Sequence, residues 1–215
     1  MMRPLLPSRA TCAGLAGFGA TAGPLVDAVH NQALLKYDIL PVSIDALDAK
    51  TSLLIPPLLA ITYLLLGGVL PRVSEHFVPG RAPFSTLLLP PPAVAAVAVT
   101  TTILIIKLSE LLCTTSLDAS ASVACLAAAC LAQWLALDGT FSSLALALIV
   151  AIGGPIAEVP FISLGCWHYL SPDYFPIGPD GGLNFITGPC YFAVTTDAVA
   201  LGRWLEPPPQ AGRKS

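Results

Sequence analysis

Asp27, Glu158 and Asp197 lie in or beside long runs of Leu, Ala, Val and Ile, and with His168 they are the side chains whose types could do chemistry. Three uses fit them. They could move protons on an apolar substrate, bind the polar head of a sterol or other lipid, or hydrogen-bond one helix to another as polar groups in membrane bundles do. Proton transfer requires groups within hydrogen-bond reach of one another. Glu158 and His168 are ten residues apart, about 15 Å along a straight helix, so on one helix they cannot share a proton. Thr195, Thr196, Asn184 and Tyr191 are the partners available to the acids. The candidate ligand-binding set is therefore Glu158, Tyr191, Thr195, Thr196 and Asp197. A metal site needs three or four ligands, and His30, His76 and His168 fall in separate segments, so neither a metal nor another cofactor is expected.

The elements that must hold these groups are set by composition. The chain is 55% hydrophobic and only 11% charged, with a mean hydropathy of +0.77. A soluble domain carries about a quarter charged residues, so this one cannot cover a water-facing surface and reads as an integral membrane protein in contact with the lipid bilayer. A net charge of −3 with no basic stripe excludes nucleic acid as a partner. None of the six cysteines forms a C-x-x-C pair, and most sit in apolar runs, where a thiol behaves as a small hydrophobe.

Six apolar segments have the length of membrane helices. The first, 10–26, has the basic start and small residues of a targeting peptide. Its apolar character continues through Gly23-Pro24 into Leu25-Val26, so a retained helix is expected. The others are Ser52–Leu70, opened by Pro56 and Pro57; Leu87–Leu112, with Pro90 to Pro92 at its entrance and Lys107 and Glu110 one turn apart near its end; Ala119–Leu137; Phe141–Leu164; and Phe185–Leu205. Gly153-Gly154-Pro155 is expected to break the fifth. Leu34–Lys50, interrupted by Pro41, and Pro71–Phe84 read as solvent loops, and Ser116 to Asp118 as a tight turn. The expected architecture is an all-α, six-helix membrane bundle, 10–205, with a short segment 1–9 before it and a disordered tail 206–215. An acid at the bilayer centre costs about 2.5–3.5 kcal/mol, so Asp27, Glu158 and Asp197 should face the bundle interior or an interface. An even number of helices puts both termini on one side. Arg3, Arg9, Arg72, Arg81, Arg203, Arg213 and Lys214 fall there, against Lys36, Lys50 and Lys107 opposite, which makes both termini cytosolic.

With the helices placed, the chain resembles the insulin-induced gene product (Insig) family of endoplasmic-reticulum membrane proteins, over roughly 24–204. Tyr169-Leu170-Ser171-Pro172-Asp173-Tyr174 is similar to that family's Tyr-x-Ser-Pro-Asp-aromatic loop. Pro189-Cys190 matches its Pro-Cys pair, Gly202-Arg203 its closing Gly-Arg, and Pro56-Pro57 the opening of its second helix. Asp138 falls in the turn after the fourth helix, where the family carries a functionally important cytosolic Asp. The resemblance implies a non-enzymatic regulator in the endoplasmic-reticulum membrane that binds an oxysterol among its helices. It further implies control of sterol homeostasis through membrane partners such as Scap or HMG-CoA reductase, with Asp138 as the partner contact. Two departures stand out. The Asp turn continues Gly139-Thr140 rather than with Arg, and Ala193 to Asp197 replaces a stretch that is usually glycine-rich. The alternatives from the residues alone are a small lipid- or sterol-modifying enzyme using the intramembrane acids, and a structural subunit without a ligand.

Overall fold

A computed structural model describes residues 6–30, 34–45, 49–80, 91–115, 117–176, 178 and 181–206. Arg3, Arg81, Pro90, Ser116 and the tail Pro207–Ser215 lie outside them. Helix α1 (Arg9–His30) leads to three short strands, β1 (Leu35–Tyr37), β2 (Pro41–Ile44) and β3 (Ala49–Ser52). One continuous rod follows, made of α2 (Ile55–Tyr63), a π-helical turn (Leu64–Val69) and α3 (Leu70–Phe77). Then come α4 (Pro91–Cys113), α5 (Ala119–Leu137), α6 (Phe141–Ser163), the strand β4 (Trp167–Tyr169) and α7 (Thr187–Leu205).

Four of these rods, Ile55–Phe77, Pro92–Cys113, Ala119–Leu137 and Phe141–Ser163, are long and apolar enough to cross a membrane. Helix α7 is less apolar because it sits at the centre, packed by α1, the π-turn, α4, α5 and α6. Every residue from Thr195 to Gly202 is buried. A helix surrounded by protein can carry Thr195, Thr196 and Asp197 where a lipid-facing one could not. Pro189 lies in its first turn, where a missing N–H costs least.

The ends of the bundle differ. At one end, Thr11 Oγ1 donates to Glu206 (2.7 Å), Arg72 pairs with Glu206 (2.8 Å) and Arg203 pairs with Glu75 and Asp138. The start of α1 and the end of α7 therefore lie together. Glu206, expected in a disordered tail, is held in this network: burial pushes its carboxyl up, but the bonds from Thr11 and Ser8 and the Arg72 charge outweigh burial and hold it below its ordinary value. At the other end, the all-α expectation gives way to two small antiparallel sheets. β1 pairs with β4 (Leu35 opposite Tyr169, Tyr37 opposite Trp167), and β2 with β3. Much of the segment expected as a solvent loop is thus strand, with Pro41 at the first position of β2.

Two proline expectations are corrected. The second rod does not stop at Leu70 but continues to Phe77 through Pro71. Proline cannot donate to a carbonyl one turn back. The wider π-turn changes the register there, Arg72 donates to the Gly68 carbonyl, and the Gly67 carbonyl packs against Gly202. Likewise α6 runs unbroken through Gly153-Gly154-Pro155 and also contains Pro160. There Gly154 serves packing: a methyl on it would lie 2.5 Å from the ring of Tyr191.

The Ser171-Pro172-Asp173 loop is a clasp over the start of α7. Asp173 Oδ1 accepts from the Phe185 N–H (2.9 Å), Asn184 Nδ2 donates to the Ser171 carbonyl (2.8 Å), and Tyr174 bridges Leu183. Pro56 and Pro57 occupy the first turn of α2, as expected. Lys107 and Glu110 form an ion pair (2.5 Å).

Candidate functional site

The site is built where β4 folds back over α6. A strand alternates its side chains, so Trp167 and Tyr169 point inward while His168 points out and meets Asp38 at the surface (2.6 Å). Beneath β4, Glu158 arrives from α6 and is buried. Its Oε2 accepts from Tyr169 Oη (2.7 Å) and Trp167 Nε1 (3.2 Å), and its Oε1 from Tyr191 Oη (2.7 Å) on α7. Thr187 Oγ1 donates in turn to Tyr169 Oη (3.2 Å). Burial, then the Glu158 carboxyl beside it, pushes the Tyr169 phenol well above its usual range, so it remains a protonated donor at neutral pH. A second acid closes the arrangement from α1, with Tyr37 Oη donating to Asp27 Oδ2 (2.6 Å).

These groups form one end of a cavity of about 430 Å³ bounded by α1, the second rod, α6 and α7. That size falls in the range of small-molecule sites, about 300–1,000 Å³. Away from the polar end its wall is Leu58, Leu59, Leu66, Leu70, Val150 and Val194. Leu65 and Ile149 also line it and are 42% and 68% exposed on the outer face of the bundle, so the cavity opens sideways between two apolar rods. A tail can enter from the acyl-chain region while a head reaches the polar end.

Of the expected ligand set, Glu158 and Tyr191 line the cavity together; Thr195, Thr196 and Asp197 do not. Thr195 and Thr196 turn their hydroxyls back to the carbonyls of Tyr191 (2.7 Å) and Phe192 (3.1 Å) on their own helix. Asp197 is fully buried against the π-turn rod, accepting from Tyr63 Oη (2.9 Å). Among the described residues Glu158, His168 and Asp197 share no hydrogen-bond partner, so the three groups considered for proton transfer are not brought together there. Among the wall residues that sequence reasoning did not assemble are Tyr37, Phe161 and Trp167. Tyr37 and Trp167 gave little signal because three-residue strands show almost no alternation, and Phe161 is one apolar residue among many on α6.

Asp138 is buried, not presented as a free cytosolic charge. It accepts from Thr140 and Ser143 at the start of α6 and pairs with Arg203. Gly202-Arg203 thereby gains two physical roles. Gly202 has no room for a methyl against the Gly67 carbonyl, and Arg203 neutralises Asp138. Pro189 accepts a weak bond from the buried Cys130 thiol (3.2 Å), and Cys190 lines the cavity.

No protein-family model and no curated protein matches the chain. Its fold is similar to the crystal structure of a cross-linked MvINS trimer, with a TM-score of 0.67 over 93% of this chain and 95% of that one, at 21% identity. The fold is therefore shared with MvINS over nearly the whole of both chains.

Proposed function

We propose that this is an Insig-like membrane protein that binds a sterol, such as an oxysterol, or a related lipid in the cavity between α1, the second rod, α6 and α7. In this reading it regulates sterol homeostasis in the endoplasmic-reticulum membrane by retaining or targeting membrane partners of the Scap or HMG-CoA-reductase kind. The observation that carries the ligand reading is the cavity itself: walled mostly by apolar side chains, open to the side, and carrying the carboxyl groups Asp27 and Glu158 with their tyrosine partners. Such a shape fits an amphiphile with a long apolar body and a small head. The fold shared with MvINS, an Insig homologue, and the ordered Tyr169-to-Tyr174 clasp support the family reading. A partner surface would include the cluster of Asp138, Arg203 and Glu75, in which Asp138 acts by fixing Arg203.

The experiment is photolabelling of the purified protein with photoreactive sterols and diacylglycerols. Saturable labelling that maps to α6 and α7 and is competed by unlabelled lipid is expected. Absence of saturable labelling by every probe sinks the ligand reading. Co-purification from endoplasmic-reticulum membranes, with and without added sterol, tests the partner. Recovery of no membrane protein, or of the same proteins with and without sterol, would sink that part.

A further inference from the structure

We propose that the π-turn Leu64–Val69 couples the cavity to the ion pairs at the arginine-rich end, so that a bound lipid fixes how Arg72, Glu75 and Arg203 are arranged. This rests on the reading of the cavity as a lipid site and adds how its occupancy reaches the proposed partner surface.

The turn faces both ways. On one side, the paired positions Leu58 and Leu59, Thr62 and Tyr63, and Leu65 and Leu66 line the cavity. A helix of constant α register would carry both Val69 and Leu70 to that wall next. The Leu70 N–H instead donates to the Leu65 carbonyl, five residues back, and of the two only Leu70 lines the cavity. On the other side, Gly67 lies against the Ala198 carbonyl and Gly202 against the Gly67 carbonyl, with no room for a methyl at either. The Gly67 carbonyl is open to α7 because Pro71, one turn on, has no N–H to give it.

The rod is tied to α7 by different bonds before and after the turn. Before it, the Tyr63 ring lines the cavity while its Oη donates to Asp197 (2.9 Å). After it, Arg72 pairs with Glu206 (2.8 Å) and Glu75 with Arg203 (3.2 Å), and Arg72 also donates to the Gly68 carbonyl inside the turn. A change from π to α register leaves Tyr63 in place. It moves everything beyond by one residue, about 100° around the axis and about 1.5 Å along it. Arg72 and Glu75 then leave Glu206 and Arg203, and Gly67 turns away from α7. Single π-turns inside α-helices are rare and frequent at functional sites. A lipid body lying against Leu66 and Leu70 favours the π register, and by linkage the ion pairs strengthen its binding in return.

The test uses the full-length protein in nanodiscs, with Cys12, Cys113 and Cys125 replaced by Ala. Two lipids are titrated separately, a side-chain-hydroxylated oxysterol and dioleoylglycerol. A trifluoromethyl tag is attached at Ile61→Cys, exposed on α2 before the turn, or at Val73→Cys, exposed on α3 after it. Saturating lipid is expected to shift the fluorine resonance of the α3 tag and leave that of the α2 tag unchanged. Pro71→Ala supplies an N–H for the Gly67 carbonyl. It should move the α3 resonance the opposite way before lipid is added and weaken lipid affinity about fivefold. Glu206→Gln, outside the cavity wall, should weaken affinity by a similar factor, whereas Glu110→Gln, in an ion pair elsewhere, should not. Saturable binding with an unmoved α3 resonance, or with equal shifts at both tags, overturns the coupling and leaves the lipid-site reading standing. If neither lipid saturates, the lipid-site reading fails and the coupling with it.

Discussion

Glu158 joins two helices and a strand through three donated bonds, so its removal should be costly in a way the sequence position alone does not suggest. Glu158→Leu leaves Trp167, Tyr169 and Tyr191 as buried donors without their acceptor. Each unmet buried donor costs about 1–3 kcal/mol, and a loss of about 3 kcal/mol or more is expected. Tyr191→Phe removes one donor and its need together, and should cost about 1 kcal/mol. Denaturant-induced unfolding in detergent would rank the two, and equal losses would mean that the three bonds are not shared at one carboxylate. Glu206 is the residue whose ionisation can be tested outside the membrane. Its folded value lies below the ordinary 4.5, so its stabilising contribution is fully present above about pH 4.5 and is lost as pH falls through the lower, folded value. Glu206→Gln should therefore flatten the acid limb of a stability-against-pH curve below pH 4.5 while lowering the plateau at pH 7. An unchanged acid limb would show that other carboxylates set it.

Among the elements, the π-turn and α7 approach each other backbone to backbone. A methyl at Gly202 would collide with the Gly67 carbonyl, and backbone cannot swing aside as a side chain can. Gly202→Ala should destabilise by about 1–3 kcal/mol, the range for overpacking a tight core. Gly153 has open space around its missing methyl, so Gly153→Ala should be neutral or stabilise α6 by about 0.5–1 kcal/mol. Thermal unfolding of both variants in one detergent would decide. The same contact explains what the sequence could and could not disclose. Helix existence was legible from length and apolarity: α5 spans the expected Ala119–Leu137 exactly as far as its Asp118 cap and Asp138 turn allow. The fate of Pro71 was not, because the groups that accommodate it, Arg72 above the Gly68 carbonyl and Gly202 against Gly67, meet only once α7 is in place. At the site, Glu158 and Tyr191 were legible as polar groups in apolar runs. Thr195 and Thr196 misled because a threonine in a helix can satisfy its hydroxyl locally, and nothing in its spacing says whether it will.

For the molecule as a whole, the distribution of structure fixes which end is which, and the charges fix how that pair of ends should lie. The end carrying Ser8, Arg72, Phe77, Arg203 and Glu206 is knit by arginine–carboxylate pairs, while the opposite end carries the two sheets and the loop clasp. Arginine is concentrated at the first end, and membrane insertion favours leaving such segments in the cytosol. That orientation would place the polar end of the cavity toward the lumen, since Glu158 and Tyr169 lie beneath β4. Phe77 is 79% exposed at the arginine-rich end, and Leu170, next to β4, is 50% exposed at the other. In sealed microsomes with the cytosolic face outward, Phe77→Cys should react with a membrane-impermeant maleimide at once, and Leu170→Cys only after permeabilisation. Native cysteines, Cys113 and Cys125 among them, are replaced by Ala or Ser in both variants to remove background. The reverse pattern would place the cavity's polar end in the cytosol. A ligand head would then be read from the same compartment as the Asp138–Arg203 pair, and no signal would need to cross the bundle. With the expected pattern the head of a bound ligand and that pair would lie on opposite sides, and α7, which carries Tyr191 toward one end and Arg203 at the other, would be the element that links them.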